Sequence, residues 1–188
     1  MWFRKQQKVS DEELDEAADR INSGSAEAFR ILYNGYSQKV YRLCLRLLSD
    51  PELANDAFQE VFLRIYENRM NFKGENFAAW LFKIARNTCM NYLRNKREFE
   101  EINDIFTTSD EDEVSLDVGL KNEISKALAQ LPVSLREALI LREYQDCSYQ
   151  EIADILSIDI SLAKVRVYRA RIILRKLLKP LVKELNES

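Results

Sequence analysis

The chain has 188 residues, 46% of them hydrophobic and 31% charged, with a formal net charge of −3; that length suits one or two small packed domains, and two fit better. With no histidine and only Cys44, Cys89 and Cys147, far apart, it offers neither a disulfide framework nor a zinc site and points to a reducing, cytoplasmic setting. Few glycines and prolines among abundant Ala, Leu, Glu, Arg and Lys favour an all-α fold, and no run approaches the roughly 20 apolar residues of a membrane span or the apolar stretch of a signal peptide.

Ser10-Asp11-Glu12-Glu13 is a capping box and predicts a first helix reaching about residue 22. Asn22-Ser23-Gly24-Ser25 breaks it. A second helix is predicted over 25–48, with Phe29, Leu32, Tyr36, Val40, Leu43 and Leu47 on one face. Asp50 caps a third helix with Pro51 in its first turn; Leu53, Ala57, Val61 and Ile65 point inward, and it ends near residue 68. Residues 68–76 read as a loop. A fourth helix over 77–97 carries Lys83, Arg86, Arg94, Lys96 and Arg97 and no acid from position 78 onward. Between 98 and 122 nine acids sit among polar residues and the apolar periodicity fails, which predicts an acidic flexible linker. Helices near 123–130 and 134–144 follow, split by Leu131-Pro132.

Ser148-Tyr149-Gln150-Glu151 is a further capping box, opening a short helix with Ile152, Ala153 and Leu156 inward. The turn is Leu156-Ser157-Ile158, and Asp159 is placed to cap the next helix. Residues 160–183 hold eight Lys/Arg and no acid, while Ala163, Val167, Ala170, Leu174 and Leu177 step by four and three along one face. Two helices, a tight turn and a basic second helix describe a DNA-binding helix-turn-helix. Burying that stripe turns Ser161, Lys164, Val165, Tyr168, Arg169 and Arg171 outward. Lys164, Val165, Tyr168 and Arg169 are the base-reading candidates, Val165 toward a thymine methyl; Arg166, Arg171 and Arg142 suit phosphate.

The layout is two small helical domains, each with its own basic helix. A first helix occupies 1–24, one domain 25–97, the acidic linker 98–122, and the helix-turn-helix domain 123–188. In the free protein the linker acids, Asp110, Glu111, Asp112 and Glu113 among them, are expected to compete with DNA for the basic helices. A promoter-binding activator or repressor using the C-terminal motif alone is one reading. A nucleic-acid-processing enzyme is disfavoured: no metal-ligand cluster, phosphate loop, cofactor motif or activated nucleophile is present, so no catalytic or metal-binding residue is assigned.

Several motifs resemble a known family. Leu131-Pro132 with Arg136-Glu137-Ala138-Leu139, then Ser148-Tyr149-Gln150-Glu151-Ile152-Ala153, then Lys164-Val165-Arg166-Val167-Tyr168-Arg169-Ala170-Arg171, resemble the fourth conserved region of bacterial sigma factors, and most closely the extracytoplasmic-function group. Phe29-Arg30-Ile31-Leu32-Tyr33, Val40-Tyr41-Arg42-Leu43, Asp56 with Gln59-Glu60-Val61-Phe62, Phe72-Lys73-Gly74 and Ala79-Trp80-Leu81-Phe82-Lys83-Ile84-Ala85-Arg86-Asn87 resemble the second region. The resemblance spans about 25–97 and 125–180.

The resemblance implies a non-catalytic, dissociable subunit that binds core RNA polymerase, directs it to promoter DNA and answers to an anti-sigma factor. The helix-turn-helix would recognise the minus-thirty-five element as duplex, and the first domain would bind and open the minus-ten element. Asn87, Thr88, Asn91, Arg94 and Arg97 match the minus-ten stretch, with Lys83 and Arg86 for the backbone. The loop over 69–76 would pocket a flipped base, with Phe72 stacking and Lys73 beside it, whereas Trp80, Phe77 and Tyr92 read as core. Asp56, Gln59 and Glu60 would dock on the clamp helices of the largest polymerase subunit, and the C-terminal domain on the flap. Leu53 and Asn55 stand where the family commonly has acids. Ser157, Asp159, Ser161 and Leu162 replace its common Gly, Pro, Gly and Thr, so no promoter sequence carries over.

Overall fold

The computed structural model describes residues 9–74, 76–103 and 116–187, and within them the chain is all-α. The helices are α1 (Asp11–Arg20), α2 (Ala26–Leu48), α3 (Pro51–Asn68), α4 (Phe77–Asn103), α5 (Leu116–Ala129), α6 (Val133–Tyr144), α7 (Tyr149–Leu156) and α8 (Ile160–Glu187). Short 3-10 turns follow α1 (Ile21–Ser23) and α3 (Arg69–Asn71).

Side-chain caps set most of the starts. The Glu13 N–H donates to Ser10 Oγ at 3.2 Å and the Ser10 N–H to Glu13 Oε2 at 2.9 Å, completing a capping box. The Ser25 hydroxyl accepts from Ala28 N–H at 3.2 Å to open α2, and Asp50 Oδ1 accepts from Glu52 and Leu53 N–H, each at 3.1 Å, to open α3. The Asn76 side chain does the same for α4 through Ala79 N–H at 2.9 Å. α2 stops at Ser49, whose φ of 55° places it in the left-handed region.

Two segments depart from expectation. α4 runs six residues past the predicted end, and α5 begins at Leu116, so helix occupies both flanks of the acidic stretch. Glutamates at 98, 100 and 101 are good helix formers, and a nucleated helix propagates through them without an apolar stripe. Asp117 falls in the first turn of α5, and Asp104, Asp110, Glu111, Asp112 and Glu113 lie outside the described residues. At the other end, α8 continues through Pro180 to Glu187, past the basic stretch that ends at residue 183.

α2, α3 and α4 pack together with α1 laid along α2. Leu32, Val40, Leu43, Leu47, Val61, Ile65 and Leu81 are buried between them. Ala17, Ala18 and Ile21 of the first helical segment are buried in the same core. Gly35 lets α1 approach, because a methyl there would collide with Leu14. α5 to α8 form the second half around Leu128, Leu139, Ile140, Ile152, Ala163, Val167 and Ala170. The three cysteines are buried; burial pushes the Cys147 thiol up to about 12, which keeps it an inert filler.

The halves are in contact. α6 lies against α2 and α7 against α4, so the buried apolar side chains of both halves form one continuous cluster. Among the described residues no helix is long and apolar enough to cross a membrane.

Candidate nucleic-acid and polymerase interfaces

The helix-turn-helix is built by local chemistry. Ser148 and Glu151 cap α7 reciprocally: Glu151 N–H donates to Ser148 Oγ at 3.2 Å and Ser148 N–H to Glu151 Oε2 at 2.7 Å. Burial acts to raise the Glu151 pKa, but hydrogen bonds from Ser148 and Asn76 outweigh it and leave the net shift downward. Ser157, at φ 53°, makes the turn, and Ile158 N–H donates to Ala153 O at 2.9 Å. Ala163 N–H then bonds Asp159 O at 3.0 Å as α8 begins.

On α8, Ala163, Val167 and Ala170 are fully buried, which turns Ser161, Lys164, Val165, Tyr168, Arg169 and Arg171 outward. Tyr168 is 65% exposed, and Leu162 and Val165 are 41% each. Leu162, Val165 and Arg169, three and four residues apart, form one strip. Leu162 belongs to this face, although sequence reasoning marked it only as a departure from the family pattern. Lys164 Nζ lies 5.9 Å from the Tyr149 ring centroid, and Arg142 stacks at 5.0 Å on the same ring while its Nη1 donates to Cys147 O at 2.8 Å. Arg171 is exposed and bonds Glu143 Oε1 through Nε at 2.9 Å. Arg166, a phosphate candidate, is engaged within the protein: its Nη1 donates to Glu137 Oε1 at 3.3 Å and the side chain is largely covered.

α4 presents Lys83, Asn87 and Arg94 to the outside, with Asn91 half-buried beside them and bonded to Arg94 Nη2 at 3.3 Å. Arg97 lies in α4, but its side chain is outside the described residues. Two candidates are corrected. Thr88 is 0% exposed and its Oγ1 has no partner among the described residues. It shares a face with Leu81, Ala85 and Tyr92, at steps of four, three and four, and that register was readable in advance. Phe72 is 5% exposed, with ring centroids 5.4 Å from both Phe77 and Trp80, and its carbonyl accepts from Asn22 Nδ2 at 3.0 Å. It is a core anchor of the loop, so no base stacks on it in this arrangement. Lys73 and Gly74, at φ 84°, are the exposed part of that loop.

On α3, Asp56 and Gln59 face outward as expected. Glu60 is half-buried and engaged, pairing with Arg64 Nη2 at 2.6 Å. Burial, and then a hydrogen bond to Glu60, push the Tyr92 hydroxyl up to about 12. Beyond these residues the same helix exposes Leu63 (57%) and Tyr66, four and seven residues on from Gln59, and the 3-10 turn that follows exposes Met70 (69%). The large exposed apolar side chains among the described residues therefore fall in two patches, this strip and the first turns of α8.

One acid was missed entirely as a functional residue. Glu137 on α6 is 2% exposed and sits between two guanidiniums, Arg86 Nε at 2.8 Å from Oε2 and Arg166 Nη1 at 3.3 Å from Oε1. Arg86 comes from α4 and Arg166 from α8, so each basic helix contributes one. Among the described residues no group of three or more His, Cys, Asp and Glu is arranged to hold a metal.

Comparison with known proteins agrees with this architecture. Residues 32–99 match the family model described as Sigma-70 region 2, and residues 121–174 that described as Sigma-70, region 4. The RNA polymerase sigma-H factor of Pseudomonas aeruginosa is 30% identical over 192 residues, covering 94% of this chain and 99% of its own. The ECF RNA polymerase sigma-E factor of Haemophilus influenzae is 31% identical over 182 residues, covering 87% and 94%. Among solved structures, the sigma factor RpoE of Bartonella quintana, in complex with the anti-sigma factor NepR, superposes with a TM-score of 0.72 at 30% identity, over 82% of this chain and 98% of that one.

Proposed function

The chain belongs to the extracytoplasmic-function group of RNA polymerase sigma factors, and on that premise we propose how its helices divide the work of initiation. As a sigma factor it binds core RNA polymerase and directs it to promoter DNA. The first turns of α8 read the minus-thirty-five element in the major groove through Ser161, Leu162, Lys164, Val165, Tyr168 and Arg169. Arg171, Arg166 and Arg142 serve phosphate, Arg171 after exchanging Glu143 for DNA and Arg166 after leaving Glu137. Lys83, Arg86, Asn87, Asn91, Arg94 and Arg97 hold the opened minus-ten strand, with Lys73 at the edge of the loop. The α3 face, Asp56, Gln59 and Glu60, docks on the polymerase clamp helices, and the C-terminal half meets the flap.

The chain contributes positioning and no bond-making chemistry, and it works in the cytoplasm where polymerase does. Control by an anti-sigma factor is supported by the Bartonella quintana relative, which was solved with one bound. The observation that carries this reading is the outward strip of Leu162, Val165 and Arg169 on a helix whose opposite face is fully buried. An exposed apolar and cationic strip at a helix start suits base edges, with thymine methyl and guanine O6 and N7 as its partners. Equilibrium binding of the labelled chain to purified core polymerase tests the premise. Saturable one-to-one association is expected, and its absence at micromolar concentration contradicts the reading.

A further inference from the structure

We propose that Asn22 is a positioning residue for the minus-ten loop: it clamps the Phe72 carbonyl and so fixes the backbone from which Lys73 meets the opened strand. Asn22 stands in the 3-10 turn after α1, outside the residues matched to Sigma-70 region 2, which begin at 32. Its Nδ2 donates to Phe72 O at 3.0 Å, across 50 positions of sequence. Its Oδ1 is buried with no partner among the described residues, so among them the bond to Phe72 is what this amide contributes.

Phe72 is held by its ring, its N–H and its carbonyl. The ring packs on Phe77 and Trp80, with centroids 5.4 Å from each. The N–H donates to Arg69 O at 3.1 Å and closes the 3-10 turn after α3. Asn22 takes the carbonyl. A peptide unit is planar, so a fixed Phe72 carbonyl also fixes the N–H and Cα of Lys73. One residue further the restraint ends. Lys73 is exposed, and Gly74, at φ 84°, has no described atom within 4 Å of where a Cβ would stand. The exposed tip therefore takes its direction from the carbonyl that Asn22 holds.

The clamp is firm because its base is buried. Ala17 and Ile21 lie in the core, and Gly35 of α2 leaves room for Leu14 of α1. Ser23 Oγ donates to Arg20 O at 2.7 Å and ties the turn to the end of α1. The two 3-10 turns, Ile21–Ser23 and Arg69–Asn71, pack on each other. Gly24, at φ 75°, lies against the Arg69 guanidinium, 3.7 Å from Nη2 to the place of a Cβ. A loop tip anchored to a buried helix is ordered before its ligand arrives, so binding a strand does not bear the cost of ordering it. Lys73, aimed in advance, favours one register of the opened strand, whereas a loose tip meets every strand alike.

The inference rests on the sigma-factor reading for what the loop binds, and two measurements keep the two claims apart. Amide hydrogen exchange of the free full-length chain reports on the loop by itself. Asn22→Ala is expected to speed exchange over residues 70–74 about fivefold, the factor that one ordinary hydrogen bond supplies, with α6 to α8 unchanged. Selection from forked DNA, randomised in its duplex arm and in its single strand, reports on function when made by the holoenzyme of core polymerase and chain. Asn22→Ala is expected to flatten the single-strand base preference about fivefold and to leave the duplex preference and the affinity for core polymerase intact. Asn22→Leu is the second variant. It matches the shape of the amide, removes the unpartnered Oδ1 and leaves Phe72 O without its donor, so it cuts the clamp and keeps the fold.

Faster loop exchange with a flattened single-strand preference supports the clamp. Loop exchange as in the wild type overturns it. So does a single-strand preference that survives a loosened loop, or a fall in single-strand preference, duplex preference and polymerase affinity together, which is the mark of a merely structural residue. Should Asn22→Ala lose its helical circular dichroism, Asn22→Leu decides. A wild-type holoenzyme that selects no sequence would instead sink the sigma-factor reading and leave the exchange result standing.

Discussion

A hydroxyl buried without a hydrogen-bond partner costs stability, about 1–3 kcal/mol by mutational measures, and Thr88 is such a group on the inner face of α4. Thr88→Val keeps the shape and removes the unsatisfied polar atom. It is expected to leave the urea midpoint unchanged or raise it, and to leave minus-ten binding unchanged; a loss of DNA binding by a folded variant would return Thr88 to the contact surface. Arg169 and Arg171 separate on α8 in the same concrete way. Arg169 lies on the strip with Leu162 and Val165, whereas Arg171 turns aside to Glu143. Arg169→Ala should cost roughly 1–3 kcal/mol in a base-dependent manner. Arg171→Ala should weaken all sequences alike and reduce the salt slope by about one. Identical base preferences in the two variants would refute that division.

At the scale of single elements, much of the structure was legible because its causes are local. Ser10, Asp50 and Ser148 announce helix starts through hydrogen bonds that span three residues, and all three caps form. The α2 stripe and the buried face of α8 follow from spacing alone. What periodicity could not supply was the state of loop and flank. Phe72 lies outside any helix, so nothing in its neighbours distinguishes a base-stacking aromatic from an anchor packed on Phe77 and Trp80. The exposed apolar strip has no charge pattern to mark it in sequence: Asp56 and Glu60 stand out on α3, while Leu63 lies farther along that helix and Met70 in the 3-10 turn beyond it. Exposed apolar anchors beside acids are what a docking helix needs. The double variant Leu63→Ala, Met70→Ala should change the melting temperature little, since both side chains already face water, yet weaken core polymerase binding about tenfold. Unaltered polymerase affinity would confine docking to the acidic part of the helix.

At the scale of the molecule, composition and charge segregation foretold the all-α fold and two basic helices, but not how the halves meet. Glu137 carries no local signal: it follows Arg136 on an ordinary amphipathic helix, and its burial exists only once α6 packs on α2 and α8. Sequence reasoning sought the acid that restrains the basic helices in the linker, because net charge is visible there. Within the described residues a buried carboxylate on α6, Glu137, bonds an arginine of each basic helix.

The central claim is that this chain, added to core polymerase, chooses where transcription begins. Mapping transcript 5′ ends made by reconstituted core polymerase on genomic DNA, with and without the purified chain, tests it most directly. The account predicts a new, discrete set of start sites that share two upstream elements and disappear when α8 carries Arg169→Ala. Start sites identical with and without the chain would contradict it.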